Sequence, residues 1–257
     1  MKVNEPQSNS TSLRVIVERP PRVFAIGDLH GCYEETKALI DYLKEHEALS
    51  AEDLCIFIGD YIDRGARSKE IIDLMLQVRA EWPRTVFIKG NHEDMLLDYL
   101  GYGGESGDVY LENGGFEFLK SYGLHPFTPR DDVIAALPPP HLEFLRGLEL
   151  GVVLAEFVFV HAGINPTRGL DSQQSHDLMW IRGDFVHAEH TAGKTVVFGH
   201  TPFEDIFIHL PYKIGIDTGL VYGNRLSAVE LVHGKLFQIE RGESVVSTYN
   251  LRDRLGG

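Results

Sequence analysis

Five short apolar runs in this chain end alike, each giving way to a side chain able to bind a metal ion. Val23-Phe24-Ala25-Ile26 leads to Asp28 and His30, and Leu54-Cys55-Ile56-Phe57-Ile58 leads to Asp60. Thr85-Val86-Phe87-Ile88 leads to Asn91 and His92, Phe157-Val158-Phe159-Val160 to His161, and Thr195-Val196-Val197-Phe198 to His200. Runs of this length, rich in β-branched and aromatic residues, read as buried strands. The carboxyl ends of strands in open α/β sheets are where sites are built. A single histidine at such a place means little, because most are satisfied core or turn residues. Five repetitions of the pattern make one shared site the economical reading.

The spacing between the runs predicts the rest of the first half. Tyr33 to His46 has helical periodicity, with Leu39, Ile40 and Leu43 on one face, and Ser68 to Glu81 repeats it with Ile71, Ile72, Met75 and Leu76. A third helix runs from Asn91 through Leu100. Strand, helix and strand in alternation imply parallel strands joined by crossovers. Ahead of them, Leu13 to Glu18 reads as a short strand stopped by Pro20-Pro21, and residues 1–12 as a disordered tail. Residues 13–257 read as one domain. Within it, about 101–150 stands apart: Gly-rich at Asn113-Gly114-Gly115 and Ser121-Tyr122-Gly123, then Pro138-Pro139-Pro140 before a helix from His141 to Leu148. So many aromatics argue for an inserted cap rather than a linker. After it, Lys213-Ile214-Gly215-Ile216 ends in Asp217, and strands near Leu226–Leu231 and Leu236–Glu240 form a closing hairpin around His233-Gly234.

Charge narrows the partners. The net charge of −14 over 257 residues disfavours a nucleic acid polymer, whose binding requires phosphate neutralisation by Lys and Arg. An acidic chain that handles an anionic substrate needs local positive charge, from metal ions or from a few placed arginines. No apolar run approaches the roughly 20 residues of a membrane span. The polar first residues lack the apolar segment of a signal peptide, so the chain reads as cytoplasmic with no membrane partner. Two cysteines imply no disulfide framework. Cys55 reads as a core residue, and Cys32 as structural rather than a ligand or redox group.

Asp, His and Asn donors suit divalent ions such as Mn²⁺, Fe or Zn²⁺. The lack of cysteine among them disfavours a closed structural zinc site. This many ligands fit two ions roughly 3.5–4 Å apart, bridged by one carboxylate.

The quoted residues also carry a resemblance. Gly27-Asp28-Leu29-His30-Gly31, Gly59-Asp60-Tyr61-Ile62-Asp63-Arg64-Gly65, Gly90-Asn91-His92-Glu93, His161-Ala162-Gly163 and Gly199-His200-Thr201 are similar to the ordered motifs of PPP-type metallophosphoesterases. That group, within the calcineurin-like phosphoesterases, holds Ser/Thr protein phosphatases and bis(5′-nucleosyl)-tetraphosphatases. The likeness extends through Asp217-Thr218-Gly219. It implies an α/β fold of two packed mixed sheets flanked by helices. It also implies hydrolysis of phosphate monoesters by a water activated between two divalent ions, Mn first, with Fe or Zn as alternatives. Asp28, His30 and His161 would hold the metals, Asp60 would bridge, and Asn91, His161 and His200 would serve the second ion. His92 would be the general acid with Asp63 as its carboxylate partner, while Arg64, Arg182 and Asn91 would meet phosphate oxygens.

The departures from the family's patterns are informative. The eukaryotic Ser-Ala-Pro-Asn-Tyr loop is replaced by Ile216-Asp217-Thr218-Gly219, a bacterial look. Symmetric diadenosine tetraphosphatases read Gly-Asp-Leu-Val-Ala-Arg-Gly and Gly-Asn-His-Asp, where this chain has Asp63 and Glu93. The expected activity is therefore a bacterial-type protein Ser/Thr phosphatase acting on a phosphoprotein or small phosphorylated substrate. Symmetric dinucleoside tetraphosphate hydrolysis is the alternative, and a non-catalytic metal-binding scaffold is the reading from another class. Against the scaffold stand Asp63, His92 and Arg64, all present. The bland reading of Arg182 is a surface arginine stacked beside Trp180. The remaining histidines show no partner spacing, and His187-Ala188-Glu189-His190 reads as a solvated loop.

Overall fold

Two six-stranded sheets carry the apolar runs in the computed structural model, which describes residues 13–254. The tail expected at 1–12 lies outside the described residues. In one sheet β2 (Val23–Ile26), β3 (Leu54–Phe57) and β4 (Val86–Phe87) run parallel. The antiparallel strands β10 (Arg225–Glu230), β11 (Lys235–Glu240) and β12 (Val246–Asn250) extend it from β2, giving the order β12-β11-β10-β2-β3-β4. The other sheet joins β1 (Arg14–Val15), β5 (Gly151–Val153), β6 (Phe157–Val160), β7 (Thr195–Phe198), β8 (Phe207–His209) and β9 (Lys213–Gly215). Its order is β1-β5-β6-β7-β9-β8, with β6, β7 and β9 parallel. Both sheets are thus mixed, and in each the strands that end in candidate ligands are parallel neighbours.

Strand alternation builds the layers. Ala25, Ile56 and Ile58 point between the sheets and meet Phe159, Val197 and Ile214 in one buried cluster. Phe24, Ile26, Cys55 and Phe57 point the other way, onto α1 (Tyr33–Glu45) and α2 (Ser68–Glu81) through Leu39, Ile71 and Met75. On the far sheet Val158, Val160, Val196 and Phe198 pack on Leu178 of α7 (Ser175–Trp180) and Phe185 of α8 (Gly183–Val186). The result is helix, sheet, sheet, helix. Each fully buried Leu, Ile or Phe contributes about 1.5–3 kcal/mol, so the sheets are fixed rigidly beneath their loops. No helix among the described residues is long and apolar enough to cross a membrane.

Residues 101–150 fold largely as helices: α4 (Phe116–Ser121), α5 (Arg130–Ala136) and α6 (Pro139–Arg146) follow α3 (Asn91–Tyr99). Their Phe118, Leu119, Val133, Phe144 and Leu145 join the same cluster as Leu39 and Met75, so the segment is welded to α2 and α3.

Several boundaries differ from the sequence expectation. The last insertion helix begins at Pro139 rather than His141, because prolines in a first turn lack only N–H groups that the helix would leave unpaired. The strand expected over Leu13–Glu18 pairs only at Arg14–Val15, with Ile16 donating to Val153 O. The closing hairpin forms, with Glu230 opposite Lys235, but it is part of a three-strand meander because β12 pairs with β11. His190 is buried rather than solvated, its Nε2 2.8 Å from Tyr212 O. His141, another histidine without expected partners, is buried between Tyr122 Oη at 2.7 Å and Asp73 Oδ1 at 2.9 Å.

Candidate active site

The five strand ends converge. Asp60, following β3, stands between two imidazoles, with His30 Nε2 3.4 Å from Oδ2 and His161 Nε2 3.4 Å from Oδ1. Both rings are aimed from behind. His30 Nδ1 lies 2.9 Å from Ile62 O and His161 Nδ1 lies 2.8 Å from Ile58 O, so N–H donation to these carbonyls turns each Nε2 towards Asp60. Asn91 Oδ1 lies 3.1 Å from His161 Nε2 and 2.9 Å from His200 Nδ1. Two groups of possible ligand atoms result, His30–Asp60–His92 and Asp60–His161–His200, each compact within 4.8 Å and sharing Asp60. Asp28 stands outside both groups, its Oδ2 accepting the His200 backbone N–H at 3.1 Å.

Backbone geometry marks the same place. His30, Asp60, Asp63, Arg64 and His200 all adopt positive φ, between 43° and 70°. Non-glycine residues rarely sit there, and such strain clusters at functional loops held by their surroundings. Here the holding group is Glu93, fully buried on the first turn of α3. Its carboxylate accepts N–H bonds from Asp60 (3.0 Å), Tyr61 (2.8 Å), Ile62 (3.3 Å) and Gly90 (2.9 Å). Gly90 is required because a Cβ would collide with Asp60 Oδ1.

Beside the ligand groups lies a buried pair, His92 Nδ1 at 2.7 Å from Asp63 Oδ2. Asp63 Oδ1 accepts the Tyr110 hydroxyl at 2.8 Å. Arg64 Nη1 donates to His30 Nε2 at 2.7 Å, and its guanidinium lies 5.5 Å from the Tyr222 ring centroid. Arg182 sits across the cleft at the start of α8, exposed, with no side-chain hydrogen bond or ion pair among the described residues. It is not stacked on Trp180, whose ring is instead covered by His176, with centroids 6.1 Å apart and planes at 13°. Trp180 stands edge-on to His200 at 6.3 Å, so it separates the ligand groups from a cavity of ≈ 650 Å³ lined by Asn165, His176, Arg182 and Asp184.

Electrostatics test whether cations fit. Burial and the Asp217 carboxylate push Asp28 well above its usual range, and burial with nearby Asp60 pushes Glu93 up to about 8. Burial holds His30 at about 3, His92 at about 4 and His200 at about 2, so these rings are neutral at pH 7. Burial also disfavours ionised Asp60, but the His161 imidazole, whose charge burial disfavours and Asp60 pushes up to about 9, outweighs that and holds Asp60 well below the carboxylate range. Buried carboxylates thus outnumber the cationic side chains, the rings of His30 and His200 are neutral, and the charge that His161 carries beside Asp60 is one that a bound cation would replace. The His200 Nε2 atom is buried without a partner. Divalent ions suit such a donor set.

Two side chains, Tyr110 and Tyr222, reach this neighbourhood without a signal of their own in the sequence, and a third, Lys213, braces the segment behind Arg182 from the far end of β9. Tyr110 arrives from the insertion, 47 residues from Asp63. Lys213 is fully buried at the start of β9, under the α8 segment, where it donates to the Phe185 and Ala188 carbonyls. Tyr222 lies under Arg64. Only Lys213 offered a clue, as a charged residue opening an otherwise apolar strand. Cys32 and Cys55 are both buried, and burial pushes the Cys32 thiol up to about 12, away from ligand chemistry.

Comparison with known proteins agrees with the geometry. The family model described as calcineurin-like phosphoesterase matches residues 21–243. Serine/threonine-protein phosphatase 1 of Salmonella typhimurium is 28% identical over 216 residues, covering 81% of this chain and 91% of the relative. The asymmetrical bis(5′-nucleosyl)-tetraphosphatase PrpE of Bacillus velezensis is 27% identical over 240 residues, covering 84% and 91%. A crystal structure described as a diadenosine tetraphosphatase superposes with a TM-score of 0.68 at 20% identity, covering 90% of this chain and 98% of that one, a likeness of fold. With its two mixed sheets, its converging ligand groups and a family match across most of its length, the chain belongs to the calcineurin-like phosphoesterases.

Proposed function

We propose that this phosphoesterase is a protein serine/threonine phosphatase that uses two divalent ions, Mn²⁺ first among them. Asp28, His30, Asp60, Asn91, His161 and His200 would hold the ions. Bound there, the ions supply an activated water and neutralise charge on the phosphoryl oxygens. Arg64 and Arg182 grip the remaining phosphate oxygens from opposite sides of the cleft, a task that suits the planar guanidinium fork. Asn91 donates to the same group through its amide.

One observation carries the substrate class: the buried His92–Asp63 contact of 2.7 Å beside the ligand groups. Serine and threonine alkoxides are poor leaving groups and need a proton. Asp63 fixes the His92 ring so that Nε2 faces the cleft, and the negative charge of an arriving phosphate favours the protonated ring. A pyrophosphate leaving group needs this help far less.

The second reading is dinucleoside polyphosphate hydrolysis, and one observation favours it. The ≈ 650 Å³ cavity beyond Trp180 is large enough for a nucleoside, and the PrpE relative is named for such a substrate. A metal-loaded preparation assayed on phosphoserine and phosphothreonine peptides and on diadenosine tetraphosphate decides between them. The peptides are expected to give the higher kcat/KM. A tenfold preference for the dinucleotide transfers the function to the second reading.

A further inference from the structure

The insertion does more than cover α2 and α3. Its Tyr110–Gly115 turn is threaded against the loop that holds Asp63 and Arg64. The Arg64 N–H donates to Gly114 O at 3.2 Å, which needs the left-handed backbone of Gly114 (φ 107°). Tyr110 itself is fully buried, packed on Tyr99 at 5.3 Å and on Phe118 at 6.5 Å. Gly115 lies so close that a Cβ would sit 2.6 Å from the Tyr110 ring. The ring therefore has one position, and in it the hydroxyl reaches Asp63 Oδ1 at 2.8 Å. Among the described residues Asp63 has no other side-chain donor on that oxygen, and its backbone N–H is held by Ser68 Oγ at 3.0 Å.

We propose that Tyr110 is a positioning residue for proton delivery: its hydroxyl fixes the rotation of the Asp63 carboxylate, and through it the orientation of the His92 ring. A carboxylate turns about its terminal bond over a broad, shallow range of angles. With only His92 as a partner, Asp63 could swing and let the ring tilt with it. Occupying Oδ1 removes that freedom and leaves Oδ2 to His92 Nδ1, so the far nitrogen of the ring keeps one direction. A buried chain of three polar groups is worth more as a unit than as separate pairs. The helical insertion, remote in sequence, thereby completes the acid apparatus of the first sheet.

This inference rests on the acid role given above to His92, and its test separates the two. Tyr110→Phe removes one hydroxyl and keeps the ring packing. On metal-loaded enzyme, kcat for phenyl phosphate, a poorer leaving group, is expected to fall about tenfold, while kcat for p-nitrophenyl phosphate changes less than about twofold. His92→Ala is the reference for complete loss of the acid. If His92→Ala lowers both substrates equally, the acid role fails. If His92→Ala discriminates between them and Tyr110→Phe does not, the positioning role fails alone. A readout independent of turnover is the downfield imidazole N–H proton of His92 in the metal-free protein. Tyr110→Phe should broaden or shift it while the melting temperature stays within a few degrees, and an unmoved resonance overturns the proposal.

Discussion

The two walls of the cleft are built on opposite plans. On the first-sheet wall the acid and loop-holding groups are tied down: Glu93 accepts four backbone N–H bonds, and Asp63 is held by His92 and Tyr110. Asp63 and Glu93 are at 0% exposure there, and Arg64 on that loop is partly open. On the second-sheet wall Arg182 is exposed and unengaged among the described residues, and the Trp180 indole nitrogen lacks a partner. One wall is pre-organised, which is what proton transfer and charge stabilisation require. The other keeps its hydrogen-bonding capacity free, which suits a surface that must first meet a ligand. The difference teaches where chemistry and recognition divide: fixed groups to the first wall, adaptable ones to the second.

Asp60 is the seam between the walls, touching His30 on one and His161 on the other, so its replacement should have the largest effect. Asp60→Asn keeps the shape, removes the negative charge and turns one acceptor oxygen into an NH2 donor. Losing a group that stabilises transition-state charge costs about 2.7–4 kcal/mol, or roughly 10²–10³ in rate. Metal content by elemental analysis should fall from close to two equivalents together with kcat. Full activity with normal metal content would break the idea that the walls share one centre.

How much of this was legible beforehand follows the same division. The strand-end ligands could be read because each sits just past an apolar run, a pattern local enough to survive in sequence. The parallel strands and their crossover helices followed from the same periodicity, whereas the pairing of two sheets was implied only by the family resemblance. What stayed hidden depends on long-range packing. Tyr110 meets Asp63 only because α3 and the insertion fold back along α2. His141 and His190 are buried by partners 68 and 22 residues away. Strands β5 and β8 have three residues each, too few to display alternation, and β12 is mostly exposed and polar, so nothing marked it as sheet. Arg182 was legible as a charge beside a tryptophan, but not its freedom from that ring.

The open wall is tested by Arg182→Ala. A charged hydrogen bond is worth about 1.5–3 kcal/mol, so kcat/KM should fall roughly 10- to 150-fold. Metal content and melting temperature should be unchanged, since the side chain supports nothing in the fold. A drop in melting temperature of more than a few degrees would show that this wall is structural after all, and would blur the contrast with the first.

The smallest effect should come from beneath that wall. Lys213 is fully buried, with no carboxylate within ion-pair distance among the described residues. Its ammonium lies 4.4 Å from the Phe185 ring centroid and donates to the carbonyls of Phe185, Val186 and Ala188. Those carbonyls close the short helix that Arg182 opens, where the last C=O groups lack helical partners and attract a cation. Lys213 thus fastens the base of the Arg182 segment to β9 while leaving its guanidinium free. Lys213→Met keeps the aliphatic stem and removes the donors. The segment should loosen, lowering kcat/KM about two- to tenfold, in line with coupling energies of contacting residues. The double variant with Arg182→Ala discriminates: if Lys213 acts through Arg182, adding Lys213→Met should cost no further kcat/KM, although stability still falls. Additive losses in kcat/KM would mean that Lys213 supports the wall as a whole, and that the open side owes its order to more than one anchor.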